Sequence, residues 1–190
     1  AEHGGFYQAL ATGLYKKAGL DVTLKMGGPQ INGMQLLAAG QADAVMGYDI
    51  AVLKGREQGV EAVTIAASFQ KDLQGLMTHD DVKSLAELKG KTILVATSGR
   101  STWWPWLKTR YGLSEEQTRP YTFNIQPFVA DKNVVQQGYL SSEPYAVEKE
   151  AKFKPTVLLL ADHGWTPYST TIVCMEDTLK KKPKQVAAFV

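Results

Sequence analysis

Ser84-Leu85-Ala86-Glu87-Leu88-Lys89-Gly90-Lys91-Thr92-Ile93-Leu94-Val95-Ala96-Thr97-Ser98-Gly99-Arg100-Ser101-Thr102 reads as four joined pieces. Ser84 and Glu87 have the spacing of a capping box, the signature of a helix start. Thr92–Ala96 is the β-branched and aliphatic run of a strand. Thr97–Ser101 is a loop of small and hydroxyl residues. It hands over to a helix running from Thr102 towards Arg110, which Gly112 ends. Helix start, strand, loop and helix make up an α/β unit. The stretch decides the fold because it restarts, after a seam near His79–Lys83, an alternation already completed upstream.

Upstream, Phe6, Leu10, Leu14 and Lys17 recur at helical spacing and Gly19 closes that element. Leu20–Met26 alternates apolar with polar, as a strand does, and Gly27-Gly28-Pro29 breaks it. Ile31, Met34 and Leu37-Ala38 form a second helical face. Ala44–Gly47 is a short strand. Asp49 is placed to cap a helix through Ile50 and Leu53, and Val63–Ala67 is another strand. Downstream of the quoted stretch, Ser114–Gln117 is a second capping box. A strand near Thr122–Ile125, helices near Lys132–Gln137 and Pro144–Lys152, and a strand over Thr156–Leu160 follow. This double alternation predicts two α/β units with mostly parallel sheets. The first lobe is expected over 1–80, with 166–190 returning to it, and the second over 81–165. Ligands of such sheets bind beyond the carboxyl ends of the strands, so a cleft between the lobes is the expected site.

Composition narrows the function classes. A net charge of +2 over 190 residues carries no nucleic-acid footprint. The basic run Lys180-Lys181-Lys182-Pro183-Lys184 reads as a solvated helix start. One cysteine, Cys174, leaves no internal disulfide and no Cys-based zinc site. It lies in the apolar run Thr171–Met175, the setting of a small buried hydrophobe. No stretch approaches the ~20 apolar residues of a membrane span. The chain opens on Ala1-Glu2-His3 without methionine, as a processed or trimmed product does. His3, His79 and His163 are scattered and no Gly-x-Ser-x-Gly elbow occurs. No catalytic, metal or cofactor set emerges.

Several residues have the chemistry of ligand contacts. Ser98, Gly99, Ser101 and Thr102 join a strand to a helix, where backbone N–H groups favour an anion or a polar ligand atom. The same residues serve equally as an ordinary helix cap. The loop lacks the lysine and spacing of a nucleotide P-loop. Trp103-Trp104-Pro105-Trp106 sets three indoles beside it. Adjacent helical residues point apart, so one of them faces outward, and Trp103 lies closest to the loop. Tyr139 offers a ring for stacking. Glu143 offers a carboxylate that accepts from a ligand amino group or ring N–H. Read alone, Glu143 equally complements the start of a helix with Pro144 at its first turn. His3 and Phe6 precede or open the first helix. Tyr48 and Gln70 follow strands, and so fall on the expected cleft.

These residues carry a resemblance. Glu2-His3-Gly4-Gly5-Phe6-Tyr7-Gln8-Ala9 and Gly13-Leu14-Tyr15-Lys16-Lys17-Ala18-Gly19-Leu20-Asp21-Val22 resemble the opening of the thiamine-pyrimidine-type solute-binding proteins. These are relatives of the sulfonate and nitrate receptors of bacterial ABC importers. Gly40-Gln41-Ala42-Asp43-Ala44, Leu85-Ala86-Glu87-Leu88-Lys89-Gly90-Lys91 and Glu143-Pro144 resemble further segments of that family. The resemblance covers nearly the whole chain. It implies a two-lobed periplasmic-binding-protein fold (type II, venus-flytrap), incomplete at both ends. It implies that Tyr139 and Glu143 hold an aminopyrimidine, and that the protein docks on a membrane permease. A tryptophan that stacks on the ligand in relatives belongs to a first strand this chain does not include. An asparagine that follows it there corresponds to Glu2. One branch of the family makes the pyrimidine and carries a cysteine-rich motif, which this sequence lacks.

The expected function is therefore a monomeric, non-enzymatic receptor. It is expected to be periplasmic, or lipid-anchored outside a Gram-positive cell, and to capture a small aromatic or nitrogen-heterocyclic metabolite in the interlobe cleft, a thiamine-precursor pyrimidine being favoured. A receptor for riboflavin, or for an alkanesulfonate or taurine-like anion, is the alternative within the class. A pyrimidine-synthesis enzyme and the effector domain of a regulator are the alternatives outside it.

Overall fold

Buried backbone must find partners, and in this chain two separate sheets supply them. A computed structural model describes residues 2–190. In chain order the elements are α1 (Gly4–Ala11), α2 (Leu14–Lys17), α3 (Gly33–Ala38), β1 (Ala44–Gly47), α4 (Asp49–Glu57), β2 (Ala62–Phe69), β3 (Gln74–Thr78), β4 (Thr92–Val95), α5 (Thr97–Ser101), α6 (Trp103–Tyr111), β5 (Thr118–Pro120), α7 (Gln126–Ala130), β6 (Val134–Tyr139), α8 (Glu143–Ala151), β7 (Thr156–Leu159), β8 (Ser169–Met175), α9 (Glu176–Lys181) and α10 (Pro183–Phe189). The chain divides into two compact units. One comprises residues 1–28, 32–70 and 167–190, the other 29–31 and 71–166.

The first unit is built on a sheet of order β1-β8-β2, with β8 antiparallel to both neighbours. Its core gathers Leu37, Val52, Ala62 and Val173, with Met34, Val45, Val60 and Met175 packed against them. Asn32 caps α3 by accepting from the Gln35 N–H at 3.3 Å. Cys174 is buried in β8, and burial pushes its thiol pKa up. That keeps the sulfur protonated and inert. The lysines of the basic run are largely engaged: Lys180 with Glu176, Lys181 with Asp177 and Lys182 with Asp43.

The second unit holds a sheet of order β5-β4-β6-β3-β7. β4 runs parallel to β5 and β6, and β3 runs antiparallel to β6 and β7. Every residue of β3 and β6 is buried. One face packs on Tyr121, Ile125, Phe128 and Val147 through Met77, Leu94 and Val134. Asp72 is 0% exposed. It accepts from the Trp165 indole N–H at 3.0 Å and from the Gln74 N–H at 3.0 Å. His79 lies between Phe128 and Phe153, its Nε2 2.7 Å from the Phe128 carbonyl.

Several sequence expectations are corrected here. Both sheets are mixed or antiparallel rather than mostly parallel, because β8 and β3 each run opposite to the strands beside them. β3 had no strand signal, since Gly75 and polar ends hide a five-residue run. Lys132–Gln137 is not a helix: Val134–Tyr139 is a central strand. The β-branched Val134 and Val135, buried against helices, outweigh the helix preference of the glutamines. Thr122–Ile125 is irregular, with Phe123 at positive φ, and the strand lies earlier, at β5. Leu20–Met26 keeps the alternation, but forms no ladder among the described residues. The first helix is two, broken where Gly13 takes φ 71°, a conformation open to glycine. Thr97–Ser101 is the short helix α5 rather than a loop. At Ser84 the side chain makes no cap bond: Glu87 accepts from the Lys83 N–H and from the Ser84 hydroxyl instead. At Ser114 both halves of the box are present.

Three outcomes follow from this packing. Asp72→Ala strands two buried donors, so chemical denaturation is expected to report a loss of about 2–4 kcal/mol. Gly99→Ala puts a methyl 2.8 Å from the Trp103 indole nitrogen, and is expected to cost about 1–3 kcal/mol by overpacking. Several carboxylates are held below their ordinary values by hydrogen-bonded partners, among them Asp81 by Lys91, Glu87 by the Lys83 amide, Glu115 by Lys108 and Glu176 by Arg56. A depressed folded-state pKa stabilises above the unfolded value and ceases to do so as pH falls through the folded one. Thermal melts are therefore expected to be flat near neutrality and to drop on acidification below the ordinary values of 3.8 for Asp81 and 4.5 for the glutamates.

Candidate functional site

Within the second unit, three neighbouring strands run parallel and end on the same side. β4 ends into α5, β5 ends into Tyr121, and β6 ends at Tyr139, ahead of α8. Ligand sites of α/β sheets lie beyond such carboxyl ends. Tyr121, Tyr139 and Glu143 meet there.

Glu143 is the first residue of α8 and is half-buried. Its Oε1 accepts from the Tyr121 hydroxyl at 2.8 Å and its Oε2 accepts from the Tyr139 N–H at 2.8 Å. A carboxylate offers about four lone-pair sites, so each oxygen keeps capacity for another donor. Tyr121 is 1% exposed. Burial and the adjacent Glu143 charge hold its phenol well above the ordinary value, so it is a permanent donor. Its N–H continues the β5–β4 ladder to the Val95 carbonyl at 3.1 Å. Its own carbonyl accepts from Gln30 Nε2 at 3.0 Å. Gln30 belongs to the short segment 29–31 of this unit. That segment is tied to α5 twice: Thr97 N–H to the Pro29 carbonyl at 2.9 Å, and Thr97 hydroxyl to Gln30 Oε1 at 3.2 Å. Gln137 reaches across from β6, its Oε1 2.5 Å from the Ala96 N–H.

The expected site residues distribute as follows. Ser98 and Ser101 are exposed on α5, and Gly99 and Thr102 are buried. The Ser101 and Thr102 hydroxyls both donate to the Ser98 carbonyl, at 3.0 and 2.7 Å. Two of the three indoles pack inward and the third is half-buried. The half-buried one is Trp106, not Trp103, which is 2% exposed with its ring against Gly99. Trp106 packs on Trp165 at 5.5 Å between ring centroids. Tyr139 is 8% exposed at the end of β6. The remaining four residues belong to the first unit. There His3 is exposed, and Phe6 is half-buried on Phe189 at 6.3 Å. Tyr48 precedes α4 and Gln70 is exposed just after β2. Asp49 accepts from the Ile50 N–H at 2.8 Å and the Tyr168 N–H at 3.2 Å. Sequence reasoning missed Tyr121, Gln30 and Gln137. None of the three has a local signal, because each meets its partner from a distant strand or segment. Among the described residues no group of His, Cys, Asp and Glu is arranged to hold a metal, and no helix is long and apolar enough to cross a membrane.

Comparison with known proteins defines the kinship. No curated protein matches the sequence. A structure from Bordetella bronchiseptica RB50 is similar at TM-score 0.74 and 17% identity, over 95% of this chain and 62% of that one. The periplasmic aliphatic sulphonate binding protein of Escherichia coli is similar at TM-score 0.64 and 15% identity, over 97% of this chain and 66% of that one. A Candida albicans gene product described as having the generic periplasmic binding protein fold is similar at TM-score 0.70 and 18% identity, over 100% of this chain and 65% of that one. The chain thus spans under two thirds of the length of these solved structures, and its fold is that of the periplasmic binding proteins. The family model described as NMT1/THI5 like matches residues 1–190, and the chain belongs to the NMT1/THI5-like family.

Proposed function

We propose that the protein is a solute receptor of an ABC importer and that it captures a small planar nitrogen heterocycle, with a thiamine-precursor aminopyrimidine as the favoured ligand. The observation that carries this reading is Glu143: a half-buried carboxylate beyond the ends of parallel strands, with lone pairs left on both oxygens. Amino and ring N–H donors suit such an acceptor, and charge-assisted bonds of this kind are the stronger ones. A sulfonate brought within 4 Å of it meets repulsion of about 4 kcal/mol at the effective dielectric of a protein surface. The fold supports binding rather than chemistry, since its solved neighbours include a sulphonate binding protein. On this reading the partner is a membrane permease, the working location is outside the cytoplasmic membrane, and the protein acts as a monomer.

Isothermal titration with a 4-aminopyrimidine, riboflavin and taurine tests the proposal. Micromolar or tighter binding of the aminopyrimidine is expected, and Glu143→Gln is expected to weaken it at least about tenfold, the worth of one charged hydrogen bond. Binding of taurine or an alkanesulfonate with no heat from any heterocycle would overturn it.

A further inference from the structure

We infer that Tyr121 is a positioning residue that fixes the plane of the Glu143 carboxylate and so determines which ligand edge the site accepts. The inference rests on the reading that Glu143 meets the ligand. The Tyr139 N–H pins one carboxylate oxygen only, and a carboxylate held at one oxygen still turns about that bond. The Tyr121 hydroxyl pins the other oxygen, also at 2.8 Å, and removes that freedom. Tyr121 is suited to the task because it is itself immobile. Its ring is buried with Ala96, Ile125 and Phe128, and it meets Phe123 edge-on at 5.5 Å. Its backbone is held on both sides, by the Val95 carbonyl and by Gln30. With both oxygens pinned, the remaining lone pairs point in fixed directions. They suit the planar amino group of a flat ring, held in the ring plane, better than a single flexible ammonium.

The test uses Tyr121→Phe, which keeps the ring and deletes the hydroxyl. The first readout needs no ligand. The Tyr139 amide proton reports the bond to Glu143 by NMR, and Glu143→Ala sets its unbonded resonance. In Tyr121→Phe that resonance is expected to move part of the way to the Glu143→Ala value, and the amide to exchange faster with solvent. The second readout is affinity. Tyr121→Phe is expected to weaken a 4-aminopyrimidine about 5- to 20-fold, as loss of one charge-assisted bond would. It is expected to leave the matched pyrimidine without the amino group unchanged. Combining it with Glu143→Ala is expected to add nothing further, since the two act as one unit. A Tyr139 resonance unmoved in Tyr121→Phe overturns the inference, as does an affinity loss equal for both pyrimidines or additive with Glu143→Ala. Failure of the ligand reading looks different: the resonance moves, but the wild-type protein binds no aminopyrimidine.

Discussion

Glu143 ties two strand ends together. Its carboxylate takes the hydroxyl that follows β5 and the amide that ends β6, and its backbone begins α8. Three elements thereby share one charged side chain. The arrangement needs room. A side chain on Gly138 would come within 3.3 Å of the Glu143 Cβ and 3.2 Å of Met77. Glycine at 138 therefore lets α8 begin close against the sheet. The site and the local fold are the same set of contacts.

The rest of the second unit follows a related rule: its central strands β3 and β6 are buried on both faces, so most polar groups among them are paired. Gln137 supplies an acceptor to the Ala96 N–H where β4 leaves the ladder. Gln74 donates to the Gly75 and Gly138 carbonyls. Asp72 satisfies both the Trp165 indole and the Gln74 amide. Each such bond contributes only about 1 kcal/mol net, but an orphaned buried donor costs about 1–3 kcal/mol. These glutamines and Asp72 hold the corners of the sheet together. The side-chain amide of Gln136, wholly buried beside Met77 and Leu94, has no hydrogen-bond partner among the described residues.

Periodicity was legible where an element is half-exposed, whereas the cap expected of Asp49 is not formed: Tyr48 precedes α4 and Asp49 is its first residue. β1, β2, β4, β7, α4 and α8 lie close to where their patterns put them. The Ser114 capping box forms, because both of its bonds are local to the sequence. The failures lie in the centre of the second sheet. β3 and β6 are buried on both faces, so neither shows the alternation that marks a strand. Of the candidate site, the bond between the Tyr139 N–H and Glu143 spans only four residues and so lies within reach of local sequence pattern. Their partner Tyr121 does not, being 22 residues from Glu143 in sequence and joined to it only by the sheet.

By itself, then, the sequence determined the α/β class, the family resemblance and the place of Glu143 at the start of a helix. Those rest on residue types and on spacings of two to four, which act within a single element. Only the tertiary structure decided which strands pair and in which direction, which indole turns outward, and which donors hold Glu143. Those depend on residues brought together across the sheet, and no local pattern encodes which distant strand end a side chain will meet.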